Sequence, residues 1–204
     1  MRILYTLLLV ATLHFGSMAG EGISYKWMDG NKSIGSLVIN ETQDEENITY
    51  EYKSNLNVNY GEEVSITEEM TATLAKTADQ EQKIMPVTQI KAVRSFNGRP
   101  RISVEESILE SKIVRTVNGK ETATDRSSTV ICYMFLFVKP PVGVTSVYSE
   151  LYGIDFKVVD KGNHQYLIKG AKNREHLFTY DEEGHLIKAR VDLSSGVYTL
   201  IPAR

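Results

Sequence analysis

Three adjacent carboxylate pairs, Glu62/Glu63, Glu68/Glu69 and Glu105/Glu106, are the first residues in this chain whose type and spacing invite chemistry. Two carboxylates about 5–9 Å apart across a substrate can divide general-acid and general-base work. These pairs sit in stretches that alternate like β-strands, where neighbours point to opposite faces. No pair can therefore act as a couple, although one member of each can turn inward. Glu68 keeps the parity of Val64, Ile66 and Met70 and is the inward candidate. Because an inward carboxylate in an apolar interior is costly, the expectation is exposure at a sheet edge or mouth.

The remaining reactive side chains are few. Cys132 is the single cysteine, in Val130-Ile131-Cys132-Tyr133-Met134-Phe135. A nucleophilic thiolate needs an exposed electropositive setting, and a thiol in apolar surroundings behaves as a small hydrophobe. Cys132 is thus expected to be buried and inert. His164, His176 and His185 fall in no His-Glu-x-x-His or Cys-x-x-Cys pattern and are read as surface histidines. There is no Gly-x-Ser-x-Gly elbow and no phosphate-cradling glycine loop. The sequence assigns no catalytic residue, no metal ligand and no cofactor, and the expectation is a non-catalytic protein.

The aromatic residues are more suggestive. The chain has 11 Tyr, and Tyr50, Tyr52, Tyr60, Tyr133, Tyr148, Tyr152 and Tyr166 join Phe135 and Phe137 at apolar parities. Such a set fills a core, or lines a site for an apolar ligand in a curved sheet. In the second case the lining is Tyr50, Tyr52, Leu56 and Val58 on an early strand, with Tyr133, Phe135 and Phe137 closing one side.

The first residues bear on compartment. Arg2, the apolar run Ile3–Phe15 and the small-x-small step Ser17-Met18-Ala19 form a secretory signal pattern over 1–19. The run is shorter than the roughly 20 residues a membrane span needs, so no stable membrane insertion is expected after leader removal. Residues 20–204 then form a single domain, periplasmic or secreted. One thiol cannot close an intramolecular disulfide, and a disulfide-free exported protein with a short leader fits a bacterial source. Asn31, Asn40 and Asn47 begin Asn-x-Ser/Thr patterns, which matter only in a glycosylating host. With 23 Lys+Arg against 26 Asp+Glu, and only small groupings at Arg99/Arg101 and Lys169/Lys172/Arg174, no nucleic-acid surface is expected.

What must position these residues is a succession of strands. Ile23–Met28 and Ser33–Asn40 flank Asp29-Gly30-Asn31, a hairpin signal. Asn47–Tyr60 alternates with a period of two, as does the stretch from Val64 to Leu74. Gln89–Phe96 leads into Asn97-Gly98, Ile102–Ile108 follows, and Lys112–Val117 ends at Asn118-Gly119. Thr129–Val138 is nearly all apolar and reads equally as a buried strand or a short helix packed on the sheet, ended by Pro140-Pro141. Thr145–Tyr152, Phe156–Val159, Gln165–Lys169, His176–Tyr180, Leu186–Leu193 and Val197–Ile201 complete an all-β, single antiparallel meander: a curved sheet or incomplete barrel.

Four motifs carry a resemblance: Trp27-Met28-Asp29-Gly30-Asn31-Lys32-Ser33-Ile34-Gly35, Phe96-Asn97-Gly98, the aromatic run Tyr133–Val138 ending at Lys139-Pro140, and Phe178-Thr179-Tyr180-Asp181-Glu182-Glu183-Gly184-His185-Leu186. Together they resemble an uncharacterised family of exported β-rich proteins of Gram-negative bacteria. More distantly, the meander is similar to the half-barrels of periplasmic lipoprotein carriers, whose concave face takes acyl chains. The likeness implies a lipid-like small-molecule partner. The alternative is an envelope structural domain with a filled core and an envelope protein partner.

Overall fold

The computed structural model describes residues 22–76, 87–109, 112–125 and 131–203. The leader pattern at 1–19 lies outside them. The strands are β1 (Ile23–Asp29), β2 (Lys32–Gln43), β3 (Asn47–Asn59), β4 (Glu63–Ala75), β5 (Val87–Phe96), β6 (Arg99–Leu109), β7 (Lys112–Val117) and β8 (Lys120–Asp125) in the first half. The second half supplies β9 (Ser146–Ser149), β10 (Ile154–Gly162), β11 (Gln165–Lys169), β12 (Glu175–Tyr180), β13 (Leu186–Leu193) and β14 (Gly196–Pro202). They form one 14-stranded antiparallel sheet in the order β8-β7-β6-β5-β4-β3-β2-β1-β14-β13-β12-β11-β10-β9. Every neighbour in this order is a sequence neighbour except β1 and β14, which join the two runs. The sheet is curved and does not close. Among the described residues no helix is long and apolar enough to cross a membrane.

The turn chemistry accounts for the hairpins. Asn97 and Gly98, and Asn118 and Gly119, all take positive φ, as a two-residue turn with two left-handed positions requires. Asn97 and Asn118 also accept backbone N–H groups of Ser65 and Ser103 through their side chains, at 2.9 and 2.8 Å. Alternation then sets the faces. On β3, Tyr52, Ser54, Leu56 and Val58 are buried while Lys53, Asn55 and Asn57 are exposed. On β4, Ile66, Met70, Ala72 and Leu74 do the same. Gly35 on β2 faces the backbone of β3 so closely that a Cβ there would clash with the Asn55 carbonyl oxygen.

The apolar run beyond residue 129 resolves into a 3₁₀ turn, Tyr133–Phe137, with Met134, Phe135, Leu136 and Phe137 buried. A short helical turn leaves backbone groups without partners at both ends. Here the sheet supplies them. Tyr25 on β1 donates its hydroxyl to the Phe137 carbonyl at 2.7 Å, and Tyr180 on β12 donates to the Leu136 carbonyl at 2.5 Å. Glu150 accepts the Met134 N–H at 2.9 Å. The turn thus plugs one part of the concave face.

One strand expectation is corrected, and one strand lies where the sequence reading placed none. Thr145–Tyr152 shortens to Ser146–Ser149, because Gly153 takes φ 67° and returns its N–H to Ser149 in a turn. The polar strand β8 follows the Asn118-Gly119 turn although it carries no apolar alternation; it is an edge strand paired with β7 alone.

Candidate functional site

Period two and register together put one polar row across an otherwise apolar concave face. Ser54 on β3 pairs with Glu68 on β4, and Glu68 pairs with Arg94 on β5. Arg94 holds the parity of Ile90 and Ala92, so it too faces inward. Arg94 and Glu68 form an ion pair with side chains only 17% and 19% exposed. Glu68 is therefore not an edge carboxylate: it turns inward in mid-sheet because a guanidinium stands directly opposite. Burial alone would weaken the Arg94 cation, but Glu68 and Tyr152 together outweigh it and hold its pKa above the ordinary arginine value. Trp27 on β1 donates its indole N–H to Ser54 at 3.0 Å.

This row borders a cavity of about 380 Å³ between the sheet and the 3₁₀ turn, within the range of small-molecule sites. Its apolar wall includes Tyr52, Leu56, Ile66, Met70, Phe96 and Phe137. The opposite wall comes from the second half: Glu150 to Tyr152 in the β9–β10 turn, Phe156, the β11–β12 turn at Lys172 and Arg174, and His176 on β12. Tyr60 and Tyr152 are exposed and line the cavity, so it meets solvent there. Tyr60 and Ser194, also a lining residue, link their hydroxyls at 2.8 Å across this mouth.

An aromatic chain joins the polar groups. Arg94 lies 5.9 Å over the Tyr152 ring and donates to its hydroxyl at 3.4 Å. Tyr152 packs on Phe156 at 6.2 Å, Phe156 stacks on His176 at 6.5 Å, and His176 meets the Tyr133 ring edge-on at 5.7 Å. His176 is not a surface histidine but 7% exposed, and burial lowers its pKa to about 4. It is neutral at pH 7. Glu150 is 2% exposed, and burial raises its carboxyl to about 7, against the pull of its bond from Met134 N–H. Burial likewise pushes the Tyr133 hydroxyl well above 10. Three residues of this lining carry a buried polar atom with no hydrogen-bond partner among the described residues: Arg94 Nε, Tyr133 Oη and His176 Nδ1.

Of the seven candidate ligand residues, Tyr52, Leu56, Tyr133 and Phe137 line the cavity; Tyr50, Val58 and Phe135 do not. Phe135 drives into the sheet instead and packs edge-on against Tyr50 at 5.2 Å, and Val58 is buried in the core. Cys132 is fully buried, and burial holds its thiol well above the ordinary value. Lys172 and Arg174, read from sequence as solvated surface, border the cavity. Glu106 is 1% exposed, held by Arg115 and Tyr148, which corrects the expectation of an edge carboxylate. Asp181, Glu183 and His185 bring ligand-type atoms within 4.8 Å of one another at the β12–β13 turn. There Asp181 accepts the His185 backbone N–H at 2.7 Å, so turn capping accounts for the cluster.

Comparison with protein-family models, with curated proteins and with solved structures gives no match to this chain.

Proposed function

We propose that this protein is an exported, non-catalytic binder of an apolar or amphipathic, lipid-like ligand, which it holds between the concave sheet and the 3₁₀ turn. The observation that carries this reading is the cavity of about 380 Å³, with one part of its lining apolar, at Tyr52, Leu56, Ile66 and Phe137, and another polar, at Arg94, Glu150 and His176. An amphiphile buries its chain against the first, where each Å² removed from water contributes about 25 cal/mol. Its polar end meets the second. The resemblance to lipoprotein-carrier half-barrels, the signal-peptide reading of 1–19 and a periplasmic or secreted location belong to the same proposal.

The alternative, an envelope interaction domain with a filled core, draws on Phe135, Tyr50 and Val58, which pack without lining this cavity. It leaves the cavity without a purpose. Titration with N-phenylnaphthylamine, a probe that brightens in apolar sites, separates the two. Saturable binding that Tyr52→Ser weakens supports the carrier reading. Absence of probe binding, together with lipid-free protein from its own host, favours the interaction domain.

A further inference from the structure

We propose that the cavity admits one single-chain amphiphile of about fifteen non-hydrogen atoms, excludes two-chain lipids, and ends on a floor formed by Tyr52 and Met70. This inference rests on the cavity being a ligand site and adds the size and chain number of the ligand.

The strands give the cavity a direction. Tyr60, exposed at the mouth, lies in the turn between β3 and β4. From that turn, inward-facing partners succeed one another across the two strands: Leu56 with Ile66, Ser54 with Glu68, then Tyr52 with Met70. All six line the cavity. The next pair in the same parity, Tyr50 with Ala72, does not. The lined track therefore stops at Tyr52 and Met70, both buried, and the Phe137 ring packs on Tyr52 at 5.7 Å. The middle pair is polar, but Trp27 already donates to Ser54 and Arg94 already pairs with Glu68. A chain passes these groups without stripping them of their partners. Tyr152, also exposed on the lining, accepts a hydrogen bond from Arg94. The polar part of the lining thus adjoins solvent, and the floor is left to the far end of the chain.

Volume sets the number of chains. An apolar cavity of about 150 Å³ holds one benzene, or about 25 Å³ per carbon. At that density a cavity of about 380 Å³ holds about fifteen non-hydrogen atoms. A single medium-length acyl chain with its head group has that many, and a two-chain phospholipid has several times more.

Displacement of N-phenylnaphthylamine by saturated fatty acids, from octanoate to hexadecanoate, tests this because only the chain varies. Each methylene that leaves water strengthens binding about fourfold. The expected result is a rise in affinity up to dodecanoate and a plateau from tetradecanoate to hexadecanoate. Met70→Ala opens the floor toward Ala72 and should restore the rise, hexadecanoate then displacing the probe at about tenfold lower concentration than tetradecanoate. If Met70→Ala does not fold, Met70→Val, which also shortens the side chain, takes its place with a smaller gain. Affinity that climbs through hexadecanoate in the wild-type protein, a plateau that the folded variant leaves unmoved, or a two-chain phospholipid bound one-to-one in protein from its own host overturns the proposal while leaving the cavity as a ligand site. No probe binding at all overturns both.

Discussion

Tyr148 on β9 donates its hydroxyl to Glu106 on β6 at 2.6 Å, although β9 ends one side of the 14-stranded sheet and β6 lies two strands from the other end. Arg115 on β7 reinforces the contact. It pairs with Glu106 and donates to the carbonyls of Glu150 and Leu151 at 2.9 and 2.8 Å. Side chains thus bridge the seam that backbone ladders leave open. The same bonds hold the β9–β10 turn, which forms one wall of the cavity, so fold closure and site geometry depend on one polar cluster.

Arg115→Met should therefore cost about 3 kcal/mol, because it removes a guanidinium from a buried carboxylate. Urea denaturation measures the loss. A stability within about 0.5 kcal/mol of wild type, the range of ordinary surface changes, would show that the seam contributes little.

Gly35→Ala should destabilise by about 1–3 kcal/mol through overpacking. Its Cβ would meet the Asn55 carbonyl and Leu56 Cα, both backbone atoms that cannot rotate aside. Thermal unfolding of the variant reads this, and an unchanged melting temperature would contradict the close approach of β2 and β3.

Cys132 should resist alkylation in the native protein and react fully in denaturant. It is fully buried, and its thiol is held protonated, whereas the thiolate is the reactive form. Cys132→Ala should cost about 1–2 kcal/mol, in line with small core truncations. Rapid native labelling would contradict the burial.

Stability should carry two opposed pH slopes. Glu150 is raised from 4.5 to about 7 on folding, so its contribution is full below 4.5 and is lost as pH rises through 7. His176 is lowered from 6.5 to about 4, so its contribution is present above 6.5 and is lost as pH falls through 4. Glu150→Gln keeps an acceptor for Met134 N–H and removes the first slope. Relative to this variant, wild type should lose on the order of 1–3 kcal/mol between about pH 5 and about pH 8. Parallel pH curves from chemical denaturation would contradict the burial of Glu150 as an acid.

Period two made Tyr52 and Leu56 legible, because one buried face repeats along a single strand. Arg94 shares that legibility by its parity with Ile90 and Ala92, but its match to Glu68 is a register between strands and no local pattern carries it. Glu150 was hidden because 145–152 reads as one strand, and only the turn at Gly153 moves it to the cavity wall. The 3₁₀ turn was ambiguous for a related reason: the partners of its backbone groups, Tyr25 and Tyr180, lie 112 and 44 residues away. His176 has strand neighbours that mark an inward face, yet a lone histidine carries no signal of what surrounds it. Strand β8 is an edge held by backbone pairing, so it needs no apolar alternation and offers none.

The central claim is that the space between sheet and 3₁₀ turn receives an amphiphile. Native mass spectrometry of the protein purified from its own host, paired with N-phenylnaphthylamine titration of delipidated protein, tests it most directly. The account predicts a co-purified lipid-like mass that delipidation removes, and saturable one-to-one probe binding weakened by Tyr52→Ser without loss of the folded state. A bare polypeptide mass from the host and no probe binding by the folded protein would contradict it.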